Sequence, residues 1–421
     1  MKVSYLIPLI SWRFTRMKKS TGWLGLLAAL SLSATHAANQ EIRAVFQPDP
    51  AKPGKNMFIN TTPNSGYCAD YPGQCADNNM FSIRAPLRFQ SVRALIPGDN
   101  VSVRVPSNWR PLVVTNRNTQ DTAIVEVRMV GVGSEYHLSH TASSLVGVTN
   151  PIEAHGLLWG SSFVYAPPPC QYAGMGLANS YTFRFFWKAP VEAACTKTAA
   201  YRIPSMAFST LDFAYELRTP NPLTMSTGQY TGSMPYLLGT GGHIDFGSLM
   251  RPVDSHLTLD LVLDVQHTLK VDLPPGGNKV YLEPEGGWQR WLASGTPPAR
   301  IYRDQVFNIS ASAAFKVMMQ CDSFQPSGPD CRLRGDQSGA TWVNTKLSLP
   351  GGITGPGGGA VKDLPLMNYE WVGPFKPGHY VDRQRGNLRF EMPQDAIAYA
   401  VRPGVNDTFR GNITVIWDSE V

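Results

Sequence analysis

Apolar side chains in this sequence return at every second residue, not at every third or fourth. Val101, Val103 and Val105, then Val125, Val127 and Met129, then Tyr181, Phe183, Phe185 and Trp187, then Leu211, Phe213, Tyr215 and Leu217 each mark one face of an extended segment. Period two belongs to half-buried antiparallel strands, because successive side chains of a strand point to opposite faces. A second set follows in Phe307, Ile309 and Ala311, in Val343, Thr345, Leu347 and Leu349, and in Leu388, Phe390 and Met392. Turn residues separate the segments, and 38 Gly with 34 Pro leave few stretches that could sustain a helical apolar period. The pattern predicts an all-β protein made of β-sandwiches.

The first 37 residues read differently. Lys2, Arg13, Arg16, Lys18 and Lys19 precede an apolar run from Trp23 to Leu32, and Ala34, Thr35 and Ala37 are small. This is the layout of a secretory signal peptide cut after Ala37, its run of about ten residues being too short for the roughly 20 that span a bilayer. Met17 is an alternative start. Removing those five cations takes the formal charge from +6 to +1. The basic balance therefore carries no message about nucleic acid, and no Lys/Arg run with interleaved aromatics tracks a phosphate backbone.

Six cysteines remain, at Cys68, Cys75, Cys170, Cys195, Cys321 and Cys331. An even number in an exported chain reads as disulfides, and neighbour pairing is the simplest arrangement, giving three short staples. Zinc is the rival, but no CxxC pair is present and the histidines are scattered. His137 and His140 stand three apart, which on a strand puts them on opposite faces.

The 384 residues left when 37 are taken from 421 call for two domains. The longest alternation runs from Leu257 through Leu259, Leu261, Leu263, Val265 and Leu269 to Val271, with His267 interrupting its apolar side and Pro274 to Gly277 as the first clear break. It reads as the last strand of one domain passing into, or abutting, the next, with domains at 38–267 and 268–421. Gly351 to Gly359 holds six glycines. No Lys followed by Ser or Thr closes it as a phosphate loop, so it reads as a surface loop. No GxSxG, no HExxH and no Ser/His/Asp set in a recognisable context occurs, and neither enzyme activity nor a cofactor is expected. The Asn-x-Ser/Thr sequons at Asn60, Asn100, Asn308, Asn406 and Asn412 read as chance in a bacterial export product. Trp109 and Trp159 are candidate sugar-stacking residues, Trp159 because His155 to Gly160 looks like a loop. Trp187 lies in an alternating strand and reads as core.

A short internal echo links Gln229-Tyr230-Thr231-Gly232 with Thr408-Phe409-Arg410-Gly411: aromatic, one residue, glycine, then a strand. It hints that both halves share an immunoglobulin-like plan. The last strand, Gly411 to Trp417, places Ile413, Val415 and Trp417 on one face and runs almost to the final residue, Val421.

An exported two-domain β protein whose second domain carries a short-range disulfide and closes on this strand resembles the tip adhesins and minor tip subunits of chaperone-usher pili. Pro167 to Gly247 also resembles the fimbrial adhesins of enterobacteria and related proteobacteria, through Pro169-Cys170, Phe186-Trp187-Lys188-Ala189-Pro190, Cys195-Thr196-Lys197, Tyr215-Glu216-Leu217, Thr219-Pro220-Asn221-Pro222-Leu223, Gly228 to Gly232 and the run from Gly241 to Gly247. The resemblance implies a C-terminal pilin domain that is a sandwich missing one strand, its groove edged by Ile413, Val415 and Trp417. A periplasmic chaperone fills that groove and clamps the Val421 carboxylate; at the outer-membrane usher, the next subunit's donor strand replaces it. Residues 38–47, with Glu41, Arg43 and prolines from Pro48 onward, make a poor donor strand, which places the subunit at the fimbrial tip on the cell surface with residues 38–267 facing a host glycan or protein receptor. The alternatives are a structural adaptor or initiator without a receptor, and an exported β-sandwich hydrolase.

Overall fold

The computed structural model describes residues 38–174, 176–325 and 327–419. The expected leader, residues 1–37, and Val421 with its carboxylate lie outside the described residues.

Strands dominate, and they fall into two sheet systems. The first is organised on His256–Val265, in which Leu257, Leu259, Leu261, Leu263 and Val265 are all fully buried. That strand pairs antiparallel with Gly228–Leu237 on one side and parallel with Ala38–Phe46 on the other. From Gly228–Leu237 the ladder continues through Arg110–Asn116 to Thr122–Leu138. Thr122–Leu138 is 17 residues long and changes neighbours as it goes: Arg110–Asn116 and Leu211–Arg218 flank its first part, Thr182–Lys188 and Met206–Phe208 its last. By pairing with four strands it wraps one sheet around a single core instead of leaving two separate layers. Phe183, Phe185 and Trp187 point into that core, and the indole N–H of Trp187 donates to the Phe163 carbonyl at 2.8 Å, which satisfies its one buried polar group.

The second system is a two-layer sandwich. One sheet runs Leu269–Asp272, Ile301–Ala311, Val381–Glu391, Ala340–Ser348, Asp330–Gly335, Phe409–Arg410. The other runs Ile353–Thr354, Trp371–Pro377, Phe315–Cys321, Ile413–Asp418. Phe307, Ile309 and Ala311 from the first meet Phe315, Val317, Met319 and Phe375 from the second in a core distinct from that of the N-terminal sheet. The chain is thus two β domains with curled, sandwich-like sheets.

Between the systems lie Gln266, His267 and Thr268. The alternation crosses this gap because the strands on either side each serve a core. His267 donates from Nε2 to the Met225 carbonyl at 2.8 Å, its Nδ1 lies 3.1 Å from the Ser312 hydroxyl, and its ring meets the edge of Phe46 at 5.6 Å. Burial holds its pKa below the usual histidine range.

The echo between the two halves has a steric cause. A Cβ on Gly232 would come within 2.6 Å of the Val113 carbonyl oxygen, and one on Gly411 within 2.6 Å of that of Arg332. In both domains the glycine lets a neighbouring backbone approach a late strand more closely than any side chain allows. Gly351 to Gly359 forms a tight hairpin, the Gly355 N–H donating to the Gly359 carbonyl at 2.8 Å.

Candidate functional site

Ile413–Asp418 is an edge strand. It pairs antiparallel with Phe315–Cys321, register Val317 to Trp417 and Met319 to Val415, and among the described residues no strand pairs with its other side. An uncovered edge offers a ladder of backbone groups to any extended partner. What distinguishes this edge is its inward face. Phe315, Val317 and Met319, on the neighbouring strand, are fully buried, whereas Ile413, Val415 and Trp417 pack against the same core and stay only half covered. Trp417 lies with its ring 5.1 Å from Phe307 and 5.9 Å from Phe315, so it is seated in the sandwich while leaving apolar surface open to solvent. The edge of the opposite sheet behaves alike: Leu269 and Val271 pack on the core and are also half covered. The sequence pattern identified the inward phase of the terminal strand; the contribution of Leu269 and Val271 was hidden in a run that reads as continuous core.

The residues from Ala38 to Phe46 are already in use. They form a strand beside His256–Val265, with Ile42, Ala44 and Phe46 buried. Glu41 and Arg43, the charges that made the segment a poor donor on paper, point the other way and pair with each other.

Neither tryptophan singled out for sugar stacking presents a bare face. Trp159 is only 4% exposed, contrary to the expectation of a surface loop. The cause is local: Asn150 caps the helix Pro151–Leu158 by accepting from the Ile152 and Glu153 N–H groups, Pro151 occupies the first turn, and the helix turns Trp159 inward. There its indole N–H donates to Tyr136 Oη at 3.2 Å; Tyr136 lies 2.8 Å from His155 Nδ1, and His155 Nε2 donates to the Asn179 carbonyl at 2.8 Å. Asn150-Pro151 was the signal that could have revealed this helix. Trp109 is half-exposed, but the guanidinium carbons of Arg128 and Arg218 lie 4.5 and 4.1 Å from its ring centre, each cation tied to an acid, Glu216 or Glu126.

The exposed aromatics of the first domain are Tyr165, Tyr172, Tyr181 and Tyr201. On the outer face of Thr182–Lys188, Phe186 stacks on Tyr67 at 4.5 Å over a small separate core with Cys68, Cys75, Ala173 and Ala214. Tyr71 packs on this small core with its ring 5.1 Å from that of Tyr67, while Tyr165 and Tyr172 lie 5.9 Å from each other. Beneath lies Asp212, buried, accepting from Arg84 Nε at 2.7 Å and from Arg184 Nη2 at 3.1 Å, while Arg184 Nη1 also reaches Asp70.

All six cysteines are in neighbour disulfides: Cys68–Cys75, Cys170–Cys195 and Cys321–Cys331, with Cα separations of 5.4, 5.8 and 5.6 Å. No group of three or more His, Cys, Asp or Glu among the described residues could hold a metal ion. His137 pairs with Glu135 at 2.9 Å.

No protein-family model matches the sequence, and no curated protein matches it. Among solved structures, the chain is similar to CfaE, the adhesive subunit of the CFA/I fimbria of enterotoxigenic Escherichia coli, at 10% identity over 91% of this chain and 92% of that one, TM-score 0.25. It is similar to a chaperone–tip adhesin complex of CFA/I fimbriae biogenesis at 12% identity, covering 91% and 97%, TM-score 0.26. It is also similar to the CsuC–CsuE chaperone–tip subunit pre-assembly complex of the archaic chaperone-usher Csu pili of Acinetobacter baumannii, at 9% identity, covering 91% and 99%, TM-score 0.21.

Proposed function

We propose that this chain is a fimbrial tip adhesin of a chaperone-usher pilus: residues 38–267 bind a host-surface receptor, and residues 268–421 form an incomplete pilin domain that takes a strand from a partner. The observation that carries this reading is the terminal strand. Ile413, Val415 and Trp417 face a closed core yet remain half covered along an edge that no described strand pairs. A complete sandwich gains nothing from leaving such a seam. An added strand hydrogen-bonds the free edge and covers the three side chains, worth on the order of 2–4 kcal/mol if half of each side chain's burial is gained.

The partner changes during assembly. A periplasmic chaperone supplies the strand first; at the outer-membrane usher, the next subunit's donor strand takes its place, and the chain ends on the cell surface at the tip of the fibre. The engaged state of Ala38–Phe46 supports the tip position, because a strand built into its own domain is not available for donation. The reading assigns no catalytic role: the buried titratable groups Tyr136, His155, Asp212 and Lys197 are hydrogen-bonded within the fold.

The test is production of residues 38–421 in an oxidising periplasm with and without a co-expressed pilus chaperone. A soluble chain recovered only with the chaperone, bound one to one, is the expected result. Equal soluble yield of a monomer without it would overturn the pilus assignment and return the hydrolase to consideration. A chaperone-dependent chain that binds neither cells nor isolated receptors would identify an adaptor instead.

A further inference from the structure

We infer that the donor strand accepted by the second domain carries one apolar residue on its outward face, opposite Ile416, besides the apolar residues that fill the seam. The inference rests on the strand-accepting reading above and adds the side chain by which one strand is told from another.

An antiparallel sheet solvated on its outer face ordinarily alternates apolar in and polar out. Ile413–Asp418 keeps the inward phase with Ile413, Val415 and Trp417, and its outward residues are Thr414, Ile416 and Asp418. Ile416 departs from the rule, and it does not do so alone. Its register partner on Phe315–Cys321 is Met318, and Met318 is also the register partner of Trp371 on Trp371–Pro377. Val317 and Met319 are fully buried in the core, so Met318 between them stands on the outer face. One row, Trp371, Met318, Ile416, therefore crosses the outside of the sheet from strand to strand and stops at the open edge.

The row is closed at one end and open at the other. Trp371 is 43% exposed, and the Lys316 ammonium lies 5.0 Å from its ring centre while reaching Asp418 at 3.3 Å. Met318 and Ile416 are each half buried. Directly opposed side chains of antiparallel strands stand about 5 Å apart, so Met318 covers the flank of Ile416 that faces the sheet. The other flank faces the edge with which, among the described residues, no strand pairs. Polar pairs border the row on either side, Gln320 with Thr414 and Lys316 with Asp418. The apolar strip is one residue wide, which limits it to a single outward position of an added strand.

A strand added to this edge lies about 4.8 Å from Ile413–Asp418, and its residue opposite Ile416 points out on the same face. A β-branched or aromatic side chain there covers the open flank of Ile416, whereas a polar one leaves it wet. The occupant is a single strand and not a second copy of the chain. A copy joined edge to edge would continue the outer row, but its terminal strand is already built into a sandwich and would leave the half-covered inner side chains, with Leu269 and Val271 on the opposite bank, unfilled. One inserted strand serves both faces.

The full exported chain is loaded with a fluorescent peptide whose seam-facing residues are apolar and whose outward residues are all serine. Unlabelled peptides with the same seam-facing residues compete for it, each carrying phenylalanine at one outward position. Phenylalanine opposite Ile416 is expected to lower the competing concentration about threefold against the all-serine peptide. Phenylalanine two residues to either side is expected to give no gain, and the ratio between the two peptides falls to one in Ile416→Thr. Equal competition by all the peptides, a gain at every outward position, or a gain that survives in Ile416→Thr would overturn the inference. A peptide-free dimer that Ile416→Thr dissolves would give the row to a second copy and overturn it as well. Competition by the all-serine peptide reports on the seam by itself. If it competes and phenylalanine adds nothing, this inference alone is removed; a chain that takes up none of the peptides removes the pilus assignment along with it.

Discussion

Lys197 illustrates how individual residues of this chain balance burial against bonding. Its ammonium donates to Ser161 Oγ at 2.8 Å and to the Ser162 carbonyl at 3.0 Å, with the Phe163 ring 5.7 Å away and no ion pair to a carboxylate found for it among the described residues. Burial brings its pKa down to about 8. The unfolded chain holds that proton to about pH 10.4, so between about pH 8 and 10 the folded state has released a proton that the unfolded state keeps. Stability therefore rises with pH across this window, by up to about 1.4 kcal/mol per unit. Above pH 10 the sign reverses, because Tyr67 and Tyr236, pushed up to about 12 by burial, stay protonated in the folded chain while the unfolded chain ionises. Melting temperature recorded from pH 7.5 to 9.5 should climb in the wild type and stay flat in Lys197→Met; parallel curves would contradict this account. None of this was legible in the sequence, where Lys197 is one cation in an alternating segment. A residue's pKa depends on what lies across the fold, and here that is a loop more than thirty positions away.

Single elements were more legible, and the misreadings have definite causes. Period two found the core strands and put Trp187 inside, because alternation and burial report the same geometry. It did not foresee that Thr122–Leu138 would serve four neighbours, since register between distant strands leaves no local trace. It also took His155 to Gly160 for a loop although Asn150-Pro151 begins a helix there, which placed Trp159 on the wrong side of the surface. The terminal strand was read in the correct phase, but alternation alone cannot distinguish a complete edge from an open one; that took the contrast between buried Val317 and half-covered Trp417. Val415→Asp tests the element directly. Val415 lies midway along the seam and opposite Met319, so a carboxylate there costs little while the seam is open and much once a strand covers it. A saturating peptide of alternating apolar residues should raise the melting temperature of the wild-type second domain by roughly 5–10 °C and that of the variant by far less. Equal shifts would show that the peptide binds somewhere else.

Across the whole molecule, two β domains meet at a three-residue link held by His267 against Met225, Phe46 and Ser312. The terminal strand is antiparallel to Phe315–Cys321, which begins just after Ser312, so it runs from the Cys321–Cys331 disulfide towards that link. A strand added to its open edge would therefore extend along the seam towards the side of the second domain where the link to the first domain lies. The first domain has Ala38–Phe46 built into its sheet, with Ile42, Ala44 and Phe46 buried, whereas the second leaves an edge strand with a half-covered row of apolar side chains. That asymmetry is the basis for reading the chain as a subunit that accepts a strand and presents a receptor surface at the end of a fibre. Amide hydrogen exchange on the full exported chain, with and without donor strand, tests it most directly. The account predicts that amides of Ile413–Asp418 exchange orders of magnitude faster than those of Phe315–Cys321 in the free chain and become as protected once the strand is bound. Full protection of Ile413–Asp418 in the free chain, unchanged by any added strand, would contradict it.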